Sequence, residues 1–344
     1  MILVGEYTQL PEWLPAQPGS GILVLRRDSD GTYKEHCICS VPNPSYLVAD
    51  GKDGLFAVEE GNQGGLTRCA KMPDGSYAAQ ETVHFPGGGS CHVCLDRRTG
   101  TAFVSNYSTG SLAVINCALG SMRVVQELRY SGNGTVPSRQ EAPHIHSSCL
   151  SPDGGELFVA DLGTDRVYRY LRRGKLCLEP NPDQPWIVFP PGSGPRHMAF
   201  HPTLPAAYVT GELSNQVFLI WFDPDGTGRI EDAWSTTQRT GSTILTAHLQ
   251  FSSKFGMLYA CVRGADELVW FSVEDDGRLT PRGRCPSSGR FPRHFLLDEE
   301  DGRLIAANQL SGDVCVFQID ACGDLLPEPL QRIAAPSAAV VVKV

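Results

Sequence analysis

The feature that most restricts this chain is internal repetition. The stretch Ala102-Phe-Val-Ser-Asn-Tyr-Ser-Thr-Gly-Ser-Leu-Ala-Val-Ile shares its layout with the stretches that begin at Leu157, Ala207 and Leu304. Each reads as an apolar strand, a short polar turn and a second strand. Weaker copies begin at Ile2, Leu55 and Leu258. With the turn residue as marker, the copies fall at Glu6, Glu59, Asn106, Asp161, Gly211, Val262 and Asn308, a period of about 49 residues. A further strand opens upstream at Pro44, Cys91, His146, Arg196, Ala247 and Arg293, each 15 residues before its marker. A constant offset of this kind fits a hairpin. Short strands at a period of roughly 40–50 residues describe a propeller blade. No helical periodicity separates them, which argues against a parallel α/β sheet. The expected fold is all-β, a seven-bladed β-propeller of four-stranded antiparallel blades, with residues 1–344 forming one domain. The first strand lacks an upstream partner, and the C-terminal run from Ala338 can supply one, closing the ring and hiding its edges.

Composition narrows the function classes. With 41% apolar and 19% charged residues the chain is globular rather than disordered. No stretch approaches the ~20 apolar residues of a membrane-spanning helix, so no membrane partner is expected. The 29 Lys and Arg against 38 Asp and Glu, with no basic run, lack the footprint of a nucleic-acid binder. Met1-Ile-Leu-Val-Gly-Glu-Tyr-Thr reads as a strand and not as a leader, which points to the cytoplasm. Of 12 cysteines only Cys91 and Cys94 have Cys-x-x-Cys spacing, and no second ligand pair completes a set. Residues three apart on a strand face opposite ways. The thiols are therefore expected to be small buried hydrophobes, with no metal bound.

In a hairpin, the start of one strand and the end of the next share an edge, so the repeat columns meet at one end of the ring. The opening columns hold His146, Arg196 and Arg293, then His92, His197, His248 and His294. The closing columns hold Glu6, Glu59, Asn106, Asp161 and Asn308, then Glu60, Glu212, Arg263 and Gln309. Such clustering suits a polar ligand or acid–base chemistry. A histidine that recurs at one position in four units also fits a structural task. Residues that break their column, namely His146, Glu212 and Arg263, are the stronger functional candidates. Arg196 and Arg293 share one position two blades apart.

Several motifs add a resemblance. Asn43-Pro-Ser-Tyr-Leu, Gly89-Ser-Cys-His-Val, Pro143-His-Ile-His-Ser, Asp161-Leu-Gly-Thr-Asp-Arg-Val, Gly194-Pro-Arg-His and Phe291-Pro-Arg-His-Phe occur in one order and spacing. In these the chain resembles the lactonase-type seven-bladed propellers, which include bacterial 6-phosphogluconolactonases and fungal carboxymuconate cyclases. The resemblance implies cofactor-free chemistry that opens or makes lactone rings, and a small anionic lactone or carboxylate as substrate. It places the catalytic positions at His146, Arg196, Glu212 and Arg263. His92, Glu60, Asn106, His197, Arg293 and Asn308 are the candidate substrate-binding residues. The chain departs from the family pattern at Gly211, where Asn is usual, and at Cys261-Val262, where Ser-Asn is usual. The expected reaction is hydrolysis of a sugar lactone such as 6-phosphogluconolactone. His146 would be the general base, Glu212 the charge-balancing group, and Arg196 and Arg263 the oxyanion or anion contacts. The alternatives are a carboxymuconate-type cyclase and a non-catalytic binding scaffold, which fold alone does not separate.

Overall fold

The computed structural model describes residues 1–12, 14–118 and 120–344. Seven antiparallel sheets follow one another along the chain, and chain order equals strand order in six of them. In the first sheet the innermost strand is the C-terminal Ala338–Lys343, paired with Ile2–Glu6. The other innermost strands are Leu47–Ala49, Ser90–Asp96, Ile145–Leu150, Pro195–Phe200, Leu245–Ser252 and Pro292–Asp298. Each of the seven touches the next in cyclic order, so the sheets are blades around one axis. The blades are numbered here from the one that joins the two termini.

The apolar core is divided among the blade interfaces. On Glu156–Asp161 the side chains of Leu157 and Val159 pack toward blade three, while Phe158 and Ala160 pack toward blade five. Both faces of the strand are thus buried. This explains why the repeats read as continuous apolar runs and not as the alternation of a one-sided sheet. The interface of blades seven and one is built the same way, with Ile305 and Val316 against Val4, Leu25 and Val341.

Two details differ from the sequence expectation. The innermost strand of blade two begins at Leu47 and not at Pro44. Pro44 lacks an N–H for the ladder, and Asn43, at φ 41°, turns the chain there. The outer edge of blade four is broken into Cys177–Pro180 and Trp186–Val188, which pair with different parts of Arg166–Arg173. Between them the Asn181 side-chain oxygen accepts from Asp183 N–H and Gln184 N–H.

The axis is filled by imidazoles. His92, His197 and His294 are buried and surround the ring of Tyr46, and half-buried His248 packs against His197 and His294. His248 and His294 stack at 3.8 Å, and the Nδ1 atoms of His197 and His248 are 2.9 Å apart. Burial, reinforced by the charge of Arg196, pushes His92 and His294 down to about 3. The same causes hold His197 and His248 well below the ordinary value. The rings are therefore neutral packing groups at neutral pH.

Two outcomes follow for stability. Val340 and Val341 are fully buried, and burial is worth about 1.5–3 kcal/mol for each such side chain. Removing residues 338–344 should lower the thermal midpoint by about 10 °C or more; a truncated chain that melts like the full chain would contradict ring closure by this strand. The second concerns acid. The unfolded chain binds protons at four histidines near pH 6.5 that the folded ring does not. Stability is thus complete above 6.5 and falls as pH drops toward 3, by up to about 1.4 kcal/mol per pH unit for each. Glu6, raised by burial to about 7, and Asp161, also raised by burial, act in the opposite sense, but they are two groups against these four histidines. Denaturant midpoints at pH 7.5 and 5 should show the loss; equal midpoints would contradict it.

Candidate functional site

One cavity of about 430 Å³ opens at the axis, lined by His146, Glu212, Arg263, Arg139, Arg293 and Glu60 together with Tyr107, Phe291 and Cys91. Its chemistry depends on an irregularity in the blades. Five innermost strands carry one extra residue near their start, at 90–92, 145–147, 195–198, 246–249 and 292–294. A β-bulge of this kind breaks strict alternation and re-aims side chains. Successive residues of one strand can then both face the axis. Arg196 reaches up to the site, while His197 joins the imidazole plug beneath it.

Glu212 is the centre of the arrangement and is 1% exposed. Arg139 Nη2 donates to its Oε1 at 2.5 Å. Arg263 Nη2 and Arg196 Nε lie 2.5 and 2.8 Å from Oε2. Both contacts are ion pairs, and Arg196 Nη1 and Arg263 Nε make no hydrogen bond among the described residues. Burial alone would raise the Glu212 carboxyl, but Arg263, Arg139 and Arg196 outweigh it and hold the group well below the usual range. The carboxylate stays charged. Burial also draws Arg196 down to about 10, so it remains a cation at neutral pH.

His146 Nε2 is 3.8 Å from Glu212 Oε2, and its ring meets Tyr107 edge-on at 5.5 Å. Burial, aided by Arg196, keeps its imidazole well below the ordinary value. It is neutral and able to accept a proton. Across the cavity Arg293 Nη2 sits 3.4 Å from Glu60 Oε2, and the guanidinium lies 5.7 Å above the Tyr7 ring. Three lining guanidiniums and that of Arg196 behind them are set against two carboxylates, a formal excess of two positive charges in a chain of net charge −9.

His146, Glu212 and Arg263 line the cavity with Glu60 and Arg293, whereas Arg196 lies behind its wall, 2% exposed and ion-paired to Glu212. The other four candidates lie outside it. His92 and His197 belong to the axial plug. Asn106 and Asn308 are fully buried at blade turns; Asn106 bonds Ser90 and Ser111, and Asn308 bonds Asp313 and the Ser287 carbonyl.

Sequence reading missed Arg139, Tyr107 and Phe291. Tyr107 stands in the same column as Glu60, Glu212 and Arg263, and Phe291 begins a quoted motif, so both carried a signal. Arg139 sits in no column. Its trace is the unusual length of the unit between Asn106 and Asp161. The departures from the family pattern have local reasons. A Cβ on Gly211 would lie 2.5 Å from Ser214 Oγ and 2.7 Å from the Phe218 ring. Cys261 Sγ receives His248 N–H at a bulge, and Val262 packs in the apolar layer between blades five and six.

No group of three or more His, Cys, Asp or Glu among the described residues could hold a metal ion. Among the described residues no helix is long and apolar enough to cross a membrane.

Comparison with known proteins agrees with this fold. The family described as "Lactonase, 7-bladed beta-propeller" matches residues 1–343. The 6-phosphogluconolactonase of Bacillus subtilis (strain 168) is 30% identical over 292 residues, 81% of this chain and 80% of that protein. A 6-phosphogluconolactonase of Formosa agariphila is 29% identical over 348 residues, 93% of this chain and 92% of its own length. The structure of the Pseudomonas aeruginosa periplasmic gluconolactonase PpgL superposes with a TM-score of 0.89 at 31% identity, covering 99% of this chain and 98% of that one. With its cavity at the axis of a closed seven-bladed ring and a match along nearly its whole length, the chain belongs to the seven-bladed β-propeller lactonase family.

Proposed function

We propose that this chain, acting as one propeller unit over residues 1–344, is a lactone hydrolase that opens 6-phosphogluconolactone or a closely related sugar lactone. The observation that carries the reading is a neutral buried imidazole beside an ionised buried carboxylate that is ion-paired to Arg139, Arg196 and Arg263, at one cavity. A concave polar site of this size suits a small molecule rather than the flat apolar face of a scaffold. The excess positive charge suits an anionic substrate, and relatives named 6-phosphogluconolactonase support the phosphorylated sugar. Twelve free thiols suit a reducing compartment, which supports a cytoplasmic location.

In this reading a water molecule attacks the lactone carbonyl carbon and its proton passes to His146 Nε2. The carbonyl oxygen becomes an oxyanion, which Arg263 stabilises from the cavity wall while Arg196, behind Glu212, adds its positive charge. Collapse breaks the bond to the ring oxygen, which takes the proton back from His146 and leaves as a hydroxyl. The new carboxyl group ionises in water. Glu212 keeps the two guanidiniums in place and stabilises the imidazolium that forms in passing.

Purified protein should accelerate opening of 6-phosphogluconolactone above the spontaneous rate. His146→Ala should lower kcat about 10²–10⁴-fold with a smaller change in KM, because a base acts in the transition state. Arg263→Ala should lower kcat and raise KM, since the guanidinium also holds the substrate. A folded His146→Ala protein that opens the lactone at the wild-type rate would refute the assignment.

A further inference from the structure

Three arginines line the cavity and a fourth, Arg196, lies behind its wall, and their settings differ in a way that separates their tasks. Arg196 and Arg263 are fixed on strands and buried against Glu212 Oε2. Arg293 is 9% exposed, tied to Glu60 and covered by Tyr7, so an anion approaching it meets a carboxylate as well. Arg139 alone comes from a connection between blades, and its side chain is 31% exposed at the rim. It uses one nitrogen, Nη2, for Glu212 Oε1 and for the Tyr107 hydroxyl at 3.3 Å. Its Nε and Nη1 make no hydrogen bond to a described residue.

The segment that carries Arg139 is built to hold it there. The neighbouring Gln140 is fully buried. Its Oε1 accepts from Thr135 N–H and Val136 N–H at 3.0 Å. Its Nε2 donates to the Leu162 carbonyl and to Asp165 Oδ1 at 2.8 Å. Asp165 in turn accepts from Gly192 N–H and Gly194 N–H, which fixes the approach to Arg196. On the other side His144 stacks on Tyr107 at 4.3 Å and is bonded to its carbonyl. A loop with this many buried ties presents its arginine as a preset group.

Resting on the reading of a phosphorylated sugar lactone, we infer that Arg139 is the specificity-determining residue that reads the substrate's phosphate at the rim of the cavity. A dianion is costly to desolvate, whereas the lactone carbonyl is uncharged. The carbonyl therefore takes the buried end beside His146, and the phosphate remains at the wet rim, where Arg139 offers two free N–H-bearing nitrogens. A guanidinium fork matches phosphate oxygens in pairs. The arrangement also ties recognition to catalysis, because the same side chain holds Glu212.

The test uses binding, so that it stands apart from turnover. Calorimetry on the full chain would compare 6-phosphogluconate with gluconate, which differ only in the phosphate. Wild type should bind the phosphorylated acid about tenfold or more tightly, the size of a charge-assisted contact. Arg139→Ala should lose most of that preference, Arg139→Lys should keep part of it, and Arg293→Ala should retain it. Circular dichroism would establish that each variant is folded. A preference that survives in Arg139→Ala, or that vanishes in Arg293→Ala instead, would overturn the inference, as would its absence from wild type. Failure to open any lactone, with the binding pattern intact, would count against the hydrolase reading and not against this assignment.

Discussion

The mouth of the ring depends on a single buried charge. Glu212 is ionised at 1% exposure because Arg139, Arg196 and Arg263 converge on it from a connecting segment, from blade five and from blade six. The dependence is mutual. Each buried guanidinium would be costly without the carboxylate, since removing one partner of a buried pair typically costs about 3–5 kcal/mol. Fold and site therefore cannot be separated here. The blades that must meet to seal the ring are the blades that bring the charges together.

The bulges supply the second constraint. A regular strand would send Arg196 and His197 to opposite faces, and only one of the two could reach the axis. One extra residue in the innermost strand lets both do so, in five of the seven blades. The axis is thereby layered. Neutral imidazoles fill the tunnel, and above them lie the cations, Glu212 and His146. The plug serves the site by closing its floor with groups that carry no charge, so the cationic layer faces the cavity with no second ionic layer beneath it.

Much of this was legible in the sequence because the repeat is long and its columns are regular. The blade number and the closing role of the C-terminal strand came from spacing alone. So did the expectation that His146, Glu212 and Arg263 share a mouth, since each breaks a column. The columns also sorted the layers: the four histidines one position after the opening column, whose recurrence fits a structural task, all lie in the plug, His92 and His197 among them although both were also candidate substrate contacts. Asn106 and Asn308 were misleading: a polar residue at a blade turn satisfies local backbone and hydroxyl groups as readily as a ligand. Arg139 was hidden because it lies on an insertion outside the repeat, where periodicity carries no information. Its position depends on Gln140 and Asp165, whose partners are distant in sequence.

The central claim is that a neutral buried imidazole does the work of a base beside a carboxylate that never gains a proton in the working range. The most direct measurement is the pH dependence of kcat/KM for lactone opening by the wild-type protein, corrected for spontaneous hydrolysis. Burial and Arg196 hold the His146 proton affinity well below the ordinary 6.5, and the arginines hold Glu212 below the usual carboxylate range. The base is unprotonated above its own pKa, so the rate should stay level from neutral pH down through 6.5 and fall only at more acid pH. An acid limb centred at 6.5 or above would contradict the account, because it would mean that the catalytic histidine titrates like one in water.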